Sequence, residues 1–355
     1  MMMETQGKLR RGWTTGACAT AAAVAAAVAL RTGRFPDPVT ITLPGGLAPS
    51  FALAHQELGD GRAEAGVIKD AGDDPDITHG CLVLARVRVL PAGSGLVFRA
   101  GEGVGTVTRP GLPLAVGEPA INPGPRAMIA ANLGLSDAEL EISIPGGAEL
   151  ALKTLNGRLG ILGGLSVLGT TGIVVPYSCA AWVDSIHRAV DVARAAALPH
   201  LAAVTGAASE AGVRALYPGL PDPAVIDVGD FMGGLLKYLR RHPVAKLTIA
   251  GGFAKTVKLA AGHLNLHSKA SEVDFGWLAG VLSGVGGSAA QVEAARAAGT
   301  ALAVLELARS AGLPLADAIA ARARAVAFEA AGGRVPVEIA IFDRSGTLAG
   351  RHDSP

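Results

Sequence analysis

The sequence has few of the residues that build disulfide frameworks, nucleic-acid surfaces or membrane spans. It has three cysteines in 355 residues, Cys18, Cys81 and Cys179, and no CxxC pair, which argues against a disulfide framework or a cysteine zinc site. The formal net charge is only +1, so no overall field favours nucleic acid. No apolar run reaches the roughly 18 residues that a bilayer span requires. We therefore expect neither a nucleic-acid-binding protein nor an integral membrane protein.

What the chain does have is apolar residues and glycine. Hydrophobic residues make up 50% and charged residues 17% of it, so much of the chain must be buried. The 48 glycines and 21 prolines are scattered among periodic segments, which indicates a loop-rich globular protein rather than a disordered one. The length allows two or three domains.

The first 150 residues predict a mixed α+β domain. The stretch RRGWTTGACATAAAVAAAVAL, residues 10–30, could be a secretory signal or a first helix. Gly12, Trp13 and two threonines separate the arginines from the apolar run, which favours a helix over 18–31 capped by Thr14 or Thr15. Short strands are predicted at 39–43, 51–54, 81–90, 96–99 and 139–144, with a helix near 124–132.

Residues 151–285 predict a second domain with a mostly parallel sheet. Strands at 201–205, 224–228 and 246–250 are apolar on both faces and alternate with helices at 177–198, 207–216, 231–241 and from Phe253. Ligands of such sheets bind beyond the carboxyl ends of the strands. The loops at 169–172, 205–206, 229–230 and 251–252 are therefore the candidate ligand loops.

Residues 286–355 predict two alanine-rich helices, at 288–310 and 315–331, and then a strand at 335–342. A lone strand needs a partner sheet. We expect this strand to return to the N-terminal domain and the whole segment to pack there.

Two loops combine polar side chains with glycine. LGTTGIVVP, residues 168–176, is either a tight turn or a ligand loop, and it lacks the Gly-Lys-Ser/Thr of a Walker loop. IKDAGDDPDITHG, residues 68–80, is a hard-cation site, a turn without any ligand, or a loop that faces substrate, and it lacks the late Glu of a calcium loop. The chain also has no G-x-G-x-x-G, which counts against a nucleotide-dependent kinase or dehydrogenase.

Two further segments concentrate basic residues. The glycine- and proline-rich stretch 101–129 predicts an ordered loop in which Arg109 and Arg126 either contact carboxylates or are solvated. In 251–275, His263 and His267 are four residues apart and would share a helix face. They are a metal pair, hydrogen-bond donors to an anionic substrate, or core and capping residues.

Five blocks in order carry a resemblance to a known family. They are GWTTGACATAAAVAA, KDAGDDPDITHG, GEGVGTVTRPGL…VGEPAINPGPRAMI, GRLGILGGLSVLGTTGIVVP and KLAAGHLNLHS. Together they resemble the CbiD family of anaerobic cobalamin biosynthesis. The resemblance implies S-adenosylmethionine-dependent methylation of cobalt-precorrin-5B at ring carbon 1, which gives cobalt-precorrin-6A. The alternative is a non-catalytic protein of the same pathway that binds corrinoid intermediates or acts as a scaffold.

The resemblance implies a role in donor binding, substrate binding or proton transfer for each candidate residue. The parallel-sheet domain would bind the methyl donor, S-adenosylmethionine, through Gly163, Gly164, Gly169, Thr170, Thr171, Gly172, Thr205, Gly206, Asp227, Asp230, Gly251 and Gly252. The carboxylate-rich tetrapyrrole would contact Thr14, Thr15, Lys69, Arg109, Arg126, Lys255, Lys258 and His263. A ring proton would be taken by His267 or Asp70.

Cobalt is expected only within the tetrapyrrole, with no metal held by the protein itself. The expected partner is the small-molecule substrate, without nucleic acid or membrane, in the cytoplasm. A homo-oligomer and transient contacts with neighbouring pathway enzymes are left open. Val175 and Asp230 depart from the family pattern, which has Glu and Asn there.

Overall fold

The chain divides at Ser178 into two compact units, and the computed structural model describes residues 9–353. Unit 1 ends at Ser178 and unit 2 begins at Cys179. The predicted combination of an α+β N-terminal region with a mostly parallel α/β region is confirmed. The division lies at Ser178 rather than near residue 150.

Unit 1 is built from short strands and four helices among its described residues. The strands are β1 (Gly12–Trp13), β2 (Val39–Thr40), β3 (Ser50–Phe51), β4 (His55–Gly59), β5 (Arg62–Ile68), β6 (Leu82–Val89), β7 (Leu96–Ala100), β8 (Thr106–Val107), β9 (Ala138–Ser143), β10 (Ile161–Leu162) and β11 (Ile173–Val174). The helices are α1 (Thr15–Thr32), α2 (Pro123–Leu133), α3 (Gly147–Ala151) and α4 (Asn156–Leu159).

The core of unit 1 lies between α1 and a five-stranded sheet. The sheet has the order β4-β5-β6-β9-β7, antiparallel except for the parallel pair of β7 and β9. On β6, Val83, Ala85 and Val87 are buried, whereas the alternating Arg86 and Arg88 face outward, as the two-residue period of a strand requires.

Helix α1 is the long apolar helix that the sequence predicts. The Thr14 side chain accepts a hydrogen bond from the Ala17 N–H at 3.2 Å, and Gly33 ends the helix in the left-handed conformation. Within residues 9–353, α1 is long and apolar enough to cross a bilayer, but 78% of it is buried. Its alanines pack against β5, β6 and α2, so the apolar composition is that of a core helix.

Unit 2 contains the parallel sheet. Its strands are β12 (Leu201–Val204), β13 (Val225–Asp227), β14 (Leu247–Gly252), β15 (Val337–Phe342) and β16 (Leu348–His352). Its helices are α5 (Cys179–Ala195), α6 (Ala207–Leu216), α7 (Met232–Leu239), α8 (Phe253–Ala260), α9 (Phe275–Gly284), α10 (Ala289–Arg296), α11 (Ala301–Ser310) and α12 (Leu315–Ala330), with a 3₁₀ turn at Asp222–Ala224.

The strand order β13-β12-β14-β15-β16 places a topological switch point between β12 and β14. From β12 the chain first adds β13 on one side and then crosses to add β14 on the other side, with all three strands parallel. Ligands of such sheets bind beyond the carboxyl ends of the strands at a switch point of this kind.

The expected return of the C-terminal strand to the N-terminal domain is wrong. Strand β15 pairs in parallel with β14, from Leu247 opposite Val337 to Gly252 opposite Phe342, so residues 286–355 belong to unit 2. All six residues of β15 are buried, and five of them are apolar, so the strand is stable only inside a covered sheet. The predicted 288–310 helix is also two helices, since Thr300 caps α11 and α10 has already ended at Arg296.

Candidate functional site

Four of the five blocks come together in unit 1. Strand β1 pairs with β11, and the Trp13 N–H donates to Asp70 O at 2.7 Å, while the Gly16 N–H donates to Leu168 O at 3.0 Å. A Cβ on Gly124, in the first turn of α2, would lie 3.2 Å from the carbonyl oxygen of Gly169. The LGTTG loop thus belongs to unit 1, and the prediction that it follows a strand of the parallel sheet is wrong.

Glycines of these blocks are required by packing. A Cβ on Gly12 would lie 2.1 Å from the carbonyl carbon of Ala71, and one on Gly169 would lie 2.4 Å from Thr14 Cβ. Only glycine allows backbones to approach this closely. Gly164 is confined by the backbone of Gly103 in the same way, at 2.3 Å. These positions are therefore explained without a ligand.

The other predicted donor residues between 163 and 172 differ in how open their surroundings are. Gly163 has φ +82 with no atom within 4 Å of a Cβ, while Gly172, at φ +80, faces Leu43 at 2.6 Å. Thr170 and Thr171 are exposed. Their role in donor binding stays a prediction.

The Asp-rich loop is held by its own charges. Lys69 is only 1% exposed, and its Nζ lies 2.6 Å from Asp76 Oδ2. Asp76 Oδ1 accepts from both the N–H and the hydroxyl of Thr78. Burial raises the pKa of Asp76, but the hydrogen bonds from Lys69 and Thr78 outweigh it and lower the pKa. The Lys69 ammonium is thus enclosed rather than presented to substrate.

Asp70 is poorly suited to accept a proton. The Arg10 guanidinium binds both oxygens of the Asp70 carboxylate, with Nη2 at 2.9 Å from Oδ1. Asp70 Oδ1 also accepts a hydrogen bond from the Gly72 N–H. The hydrogen bond from Arg10 is the largest cause that lowers the pKa of Asp70 to about 2. A carboxylate of such low pKa is a weak base. The geometry therefore favours a structural role, in line with the turn alternative for this loop.

The predicted tetrapyrrole contacts of unit 1 differ in accessibility. Arg126 donates to Glu118 and Ile121 O, each at 2.7 Å, and its guanidinium lies over the Phe98 ring. Arg109 is exposed, with its methylene groups across Gly160. Arg126 thus positions the start of α2, and Arg109 is the arginine available to a carboxylate.

Thr14 and Thr15 are both buried at the start of α1. Thr14 is the N-cap, and the Thr15 hydroxyl bridges the carbonyl and the N–H of Leu168. Both side chains are therefore committed to the backbone, and neither is presented to a tetrapyrrole.

In unit 2, the loops after three parallel strands are tied together at the carboxyl edge. Lys255 Nζ donates to Thr205 O at 2.8 Å and pairs with Asp230 Oδ1 at 3.1 Å. A Cβ on Gly251 would lie 2.9 Å from Thr205 Oγ1, whereas Cβ atoms on Gly206 and Gly252 would meet nothing within 4 Å. We call this set of loops, residues 205–206, 227–230 and 251–255, the rim.

The fifth block is fastened to the rim. The Leu266 N–H donates to Asp230 O at 2.9 Å, and the buried Lys258 donates to Leu266 O at 3.0 Å. Lys258 therefore holds this loop rather than a ligand. His263 and His267 lie beyond the end of α8 at Ala260, so the prediction that they share a helix face is wrong. Both are exposed.

Two aromatic side chains, Trp182 and Phe231, lie beside the rim and were not singled out from the sequence. Gly229 has φ +52, and a Cβ there would lie 3.5 Å from the indole of Trp182. Trp182 is 44% exposed, and its ring lies 6.4 Å from that of Phe231. The only signal in the sequence was that tryptophan is scarce, with three in the chain.

A separate group of possible metal ligands lies on the β4–β5 hairpin. Donor atoms of His55, Glu57 and Glu64 lie within 4.8 Å of one another. However, Glu64 Oε2 is 2.8 Å from Arg86 Nη2, and Glu64 Oε1 is 3.1 Å from His55 Nε2. Because the Arg86 guanidinium already meets the charge of Glu64, the group supports no metal assignment.

Comparison with known proteins decides the family. The family model described as CbiD matches residues 2–176, and the one described as CbiD, C-terminal domain matches residues 265–353. A relative from Bradyrhizobium sp. is 60% identical over 97% of this chain and 93% of its own length. The chain belongs to the CbiD family. The first match ends two residues before the division of the units at Ser178.

Other CbiD relatives cover almost the whole chain. A protein of Rhodospirillum rubrum is 61% identical over 96% of this chain and 97% of its own length, and one of Paramagnetospirillum magneticum is 58% identical over 98% and 99%. All three relatives carry the name cobalt-precorrin-5B C(1)-methyltransferase. The crystal structure of the cobalamin biosynthesis protein (cbiD) from Archaeoglobus fulgidus is 31% identical, covers 72% of this chain and 81% of that one, and has a TM-score of 0.39.

Proposed function

We propose that this chain is a methyltransferase that transfers the methyl group of S-adenosylmethionine to ring carbon 1 of cobalt-precorrin-5B. The observation that carries the proposal is the name shared by CbiD relatives that are 58–61% identical over nearly their whole lengths. The printed name states the substrate and the carbon atom, and the choice of donor is part of the proposal.

We place the donor at the rim of unit 2. The switch point lies there, and the open faces of Gly206 and Gly252 leave room for a ligand against the backbone. Asp227 Oδ1 accepts the Gly229 N–H at 3.0 Å, which leaves Oδ2 for the ribose hydroxyls. The N-terminus of α8 and Lys255 supply positive charge for the methionine carboxylate.

The bound donor supplies an activated methyl group on a sulfonium. The carbon–sulfur bond breaks as the carbon–carbon bond to the ring forms, and the electron pair of the broken bond stays on sulfur. No covalent enzyme nucleophile is needed, so the task of the side chains is to place the two reactants in line. Lys255 serves this task by holding the loops after β12 and β13 at a fixed separation.

The tetrapyrrole is the carboxylate-rich reactant, and cobalt is part of that substrate. We assign one of its carboxylates to the exposed His263 of unit 2. A contact between Arg109 and a carboxylate stays a prediction. His267 stays the candidate base. Its Nδ1 accepts the Lys269 N–H at 3.1 Å, so a proton would have to be exchanged at Nε2.

The direct test is transfer of a labelled methyl group. The purified chain is incubated with cobalt-precorrin-5B and S-adenosylmethionine carrying a ¹³C methyl group, and the product is examined by mass spectrometry and NMR. We expect one label per tetrapyrrole, bound at ring carbon 1. Tetrapyrrole binding without label transfer would contradict the proposal and favour the non-catalytic alternative. The cytoplasmic location stays a prediction.

A further inference from the structure

We propose that Trp182 is the platform on which the adenine of the methyl donor stacks. The inference rests on the proposed function, since it concerns the same donor-binding site at the rim. It adds a specificity-determining aromatic residue that neither the motifs nor the family match identifies.

The first support is where Trp182 lies on its helix. The buried residues of α5 include Ile186, Val190 and Ala193, which form one stripe at helical spacing. Trp182 is four residues before Ile186 and continues that stripe, yet it is 44% exposed. The core-facing stripe of α5 therefore extends beyond the packed core and ends in an uncovered indole.

The second support is what the indole contacts. Atoms of the Trp182 indole, including Nε1, lie 3.5–3.6 Å from the position of a Gly229 Cβ. The Phe231 ring lies at 6.4 Å, tilted by 45°, which limits the positions of the indole. Gly229 also donates its N–H to Asp227. The indole and the free oxygen of the Asp227 carboxylate thus flank the same glycine.

This pairing of groups matches an adenosine. A purine presents a flat π-face next to a ribose with two hydroxyls, and an aromatic ring beside a carboxylate recognises both parts. Tryptophan is scarce in this chain, and the other two are partly covered, Trp13 against Phe51 and Trp277 against the core of unit 2. Base–aromatic stacking contributes roughly 1–3 kcal/mol per base, which corresponds to roughly a 5- to 150-fold change in affinity.

The test uses S-adenosylhomocysteine with the full chain and calorimetry. We expect Trp182→Ala to weaken binding roughly tenfold or more, and Trp182→Phe, which keeps a stacking ring, to stay within about threefold of the wild type. Circular dichroism and thermal unfolding of both variants check that they are folded. If Trp182→Ala is unfolded, the fluorescence of Trp182→Phe decides the matter.

The fluorescence arm compares Trp182→Phe with Trp277→Phe. Stacking of adenine on Trp182 should quench tryptophan fluorescence in the wild type and in Trp277→Phe, and the quenching should be lost in Trp182→Phe. Two results would overturn this inference and leave the donor at the rim: a folded Trp182→Ala that binds with unchanged affinity, or a Trp182→Phe variant in which quenching is retained. In both cases the wild type must bind the ligand. If S-adenosylhomocysteine does not bind the wild type, both the proposed donor site at the rim and this inference are refuted.

Discussion

The glycines of unit 1 and those at the rim of unit 2 differ in what surrounds them. In unit 1, Cβ atoms on Gly12 and Gly169 would overlap backbone or side-chain atoms at 2.1 and 2.4 Å. At the rim, Cβ atoms on Gly206 and Gly252 would meet nothing within 4 Å. The sequence shows both pairs within glycine-rich motifs, yet only Gly206 and Gly252 leave space that a ligand could fill.

The polar side chains follow the same division. In unit 1, Lys69, Asp70 and Arg126 are engaged by other protein groups, so they hold the loops of the blocks together. At the rim, the Asp230–Lys255 pair also spans two loops, but the same rim includes Gly206 and Gly252, where a Cβ would meet nothing within 4 Å. Polar motif residues of unit 1 thus serve packing, whereas those at the rim of unit 2 are candidate ligand contacts.

The largest expected effect comes from filling a tight glycine of unit 1. Gly12→Ala should lower the free energy of unfolding by more than about 3 kcal/mol, because its Cβ would overlap the backbone of Ala71. Gly45, which has no atom within 4 Å of a Cβ, is the matched control and should change stability by less than about 0.5 kcal/mol on substitution by alanine. Urea unfolding followed by circular dichroism measures both, and equal midpoints would contradict the packing explanation.

The next effect is electrostatic and lies in unit 2. Glu338 on β15 is fully buried and accepts hydrogen bonds from Tyr217, Thr248 and Arg351 at 2.5–2.9 Å, with Lys246 Nζ at 2.9 Å. Burial raises the pKa of Glu338, but these partners outweigh it and lower the pKa to about 2. The carboxylate therefore stabilises unit 2 above the ordinary glutamate pKa, and this contribution is lost as the pH falls toward 2.

Glu338→Gln should lower the free energy of unfolding at pH 7 by about 2 to 3 kcal/mol. The cost stays below that of most broken buried ion pairs because Lys246 and Arg351 are partly exposed and can be rehydrated. Chemical unfolding at pH 7 and pH 3 should show the difference from the wild type shrinking at the lower pH. A difference that does not depend on pH would show that the charge of Glu338 is not what stabilises this unit.

A smaller effect on stability, but a large one on binding, is expected at the rim. Gly252→Val should cost less than about 1 kcal/mol, the size of a changed helix N-cap, because the space is open and φ is −72°. It should nevertheless weaken S-adenosylhomocysteine binding by about tenfold or more, because it places a side chain where we propose that the donor binds. Gly219→Val, also in open space in unit 2, should leave binding unchanged, and equal loss in both variants would contradict the assignment.

The smallest effect is expected for Asp70→Asn. The Arg10–Asp70 pair is largely exposed, so its loss should change the free energy of unfolding less than any of the other substitutions. Since the pKa of Asp70 is about 2, the carboxylate stays ionised and its contribution is lost only as the pH falls through about 2. The pH–rate profile between pH 5 and 9 should keep its shape in the variant, whereas a rate loss of about a hundredfold or more would restore Asp70 as the general base.

Much of the architecture could be predicted from local patterns. Apolar strands alternating with helices predicted the sheet of β12, β13 and β14, and Thr14 together with the alanine run predicted α1. The β4–β5 hairpin was overlooked, although Asp60-Gly61, with φ of 49° and 71°, is a typical hairpin turn. The partner of β15 could not be predicted, since pairing over about ninety residues leaves no local signal.

The site was harder to predict because glycine has two physical uses. The sequence LGTTG is compatible with a ligand loop and with a loop packed against the start of α1. The close contact of Gly169 with Thr14, which the sequence does not show, favours the second interpretation. The exposure of Trp182 could not be predicted, because it depends on where the buried stripe of α5 extends beyond the core. That point is set by the packing of the domain and not by the sequence of the helix. The family resemblance, by contrast, needed only the five blocks in order, and it is confirmed.

The most direct test of the central claim is a crystal structure of the full chain with S-adenosylhomocysteine. We predict that the ligand lies at the rim, with its adenine on Trp182, its ribose at Asp227 and its backbone-facing side against Gly252. Density for the ligand at Gly169–Gly172 in unit 1, with the rim empty, would contradict the account.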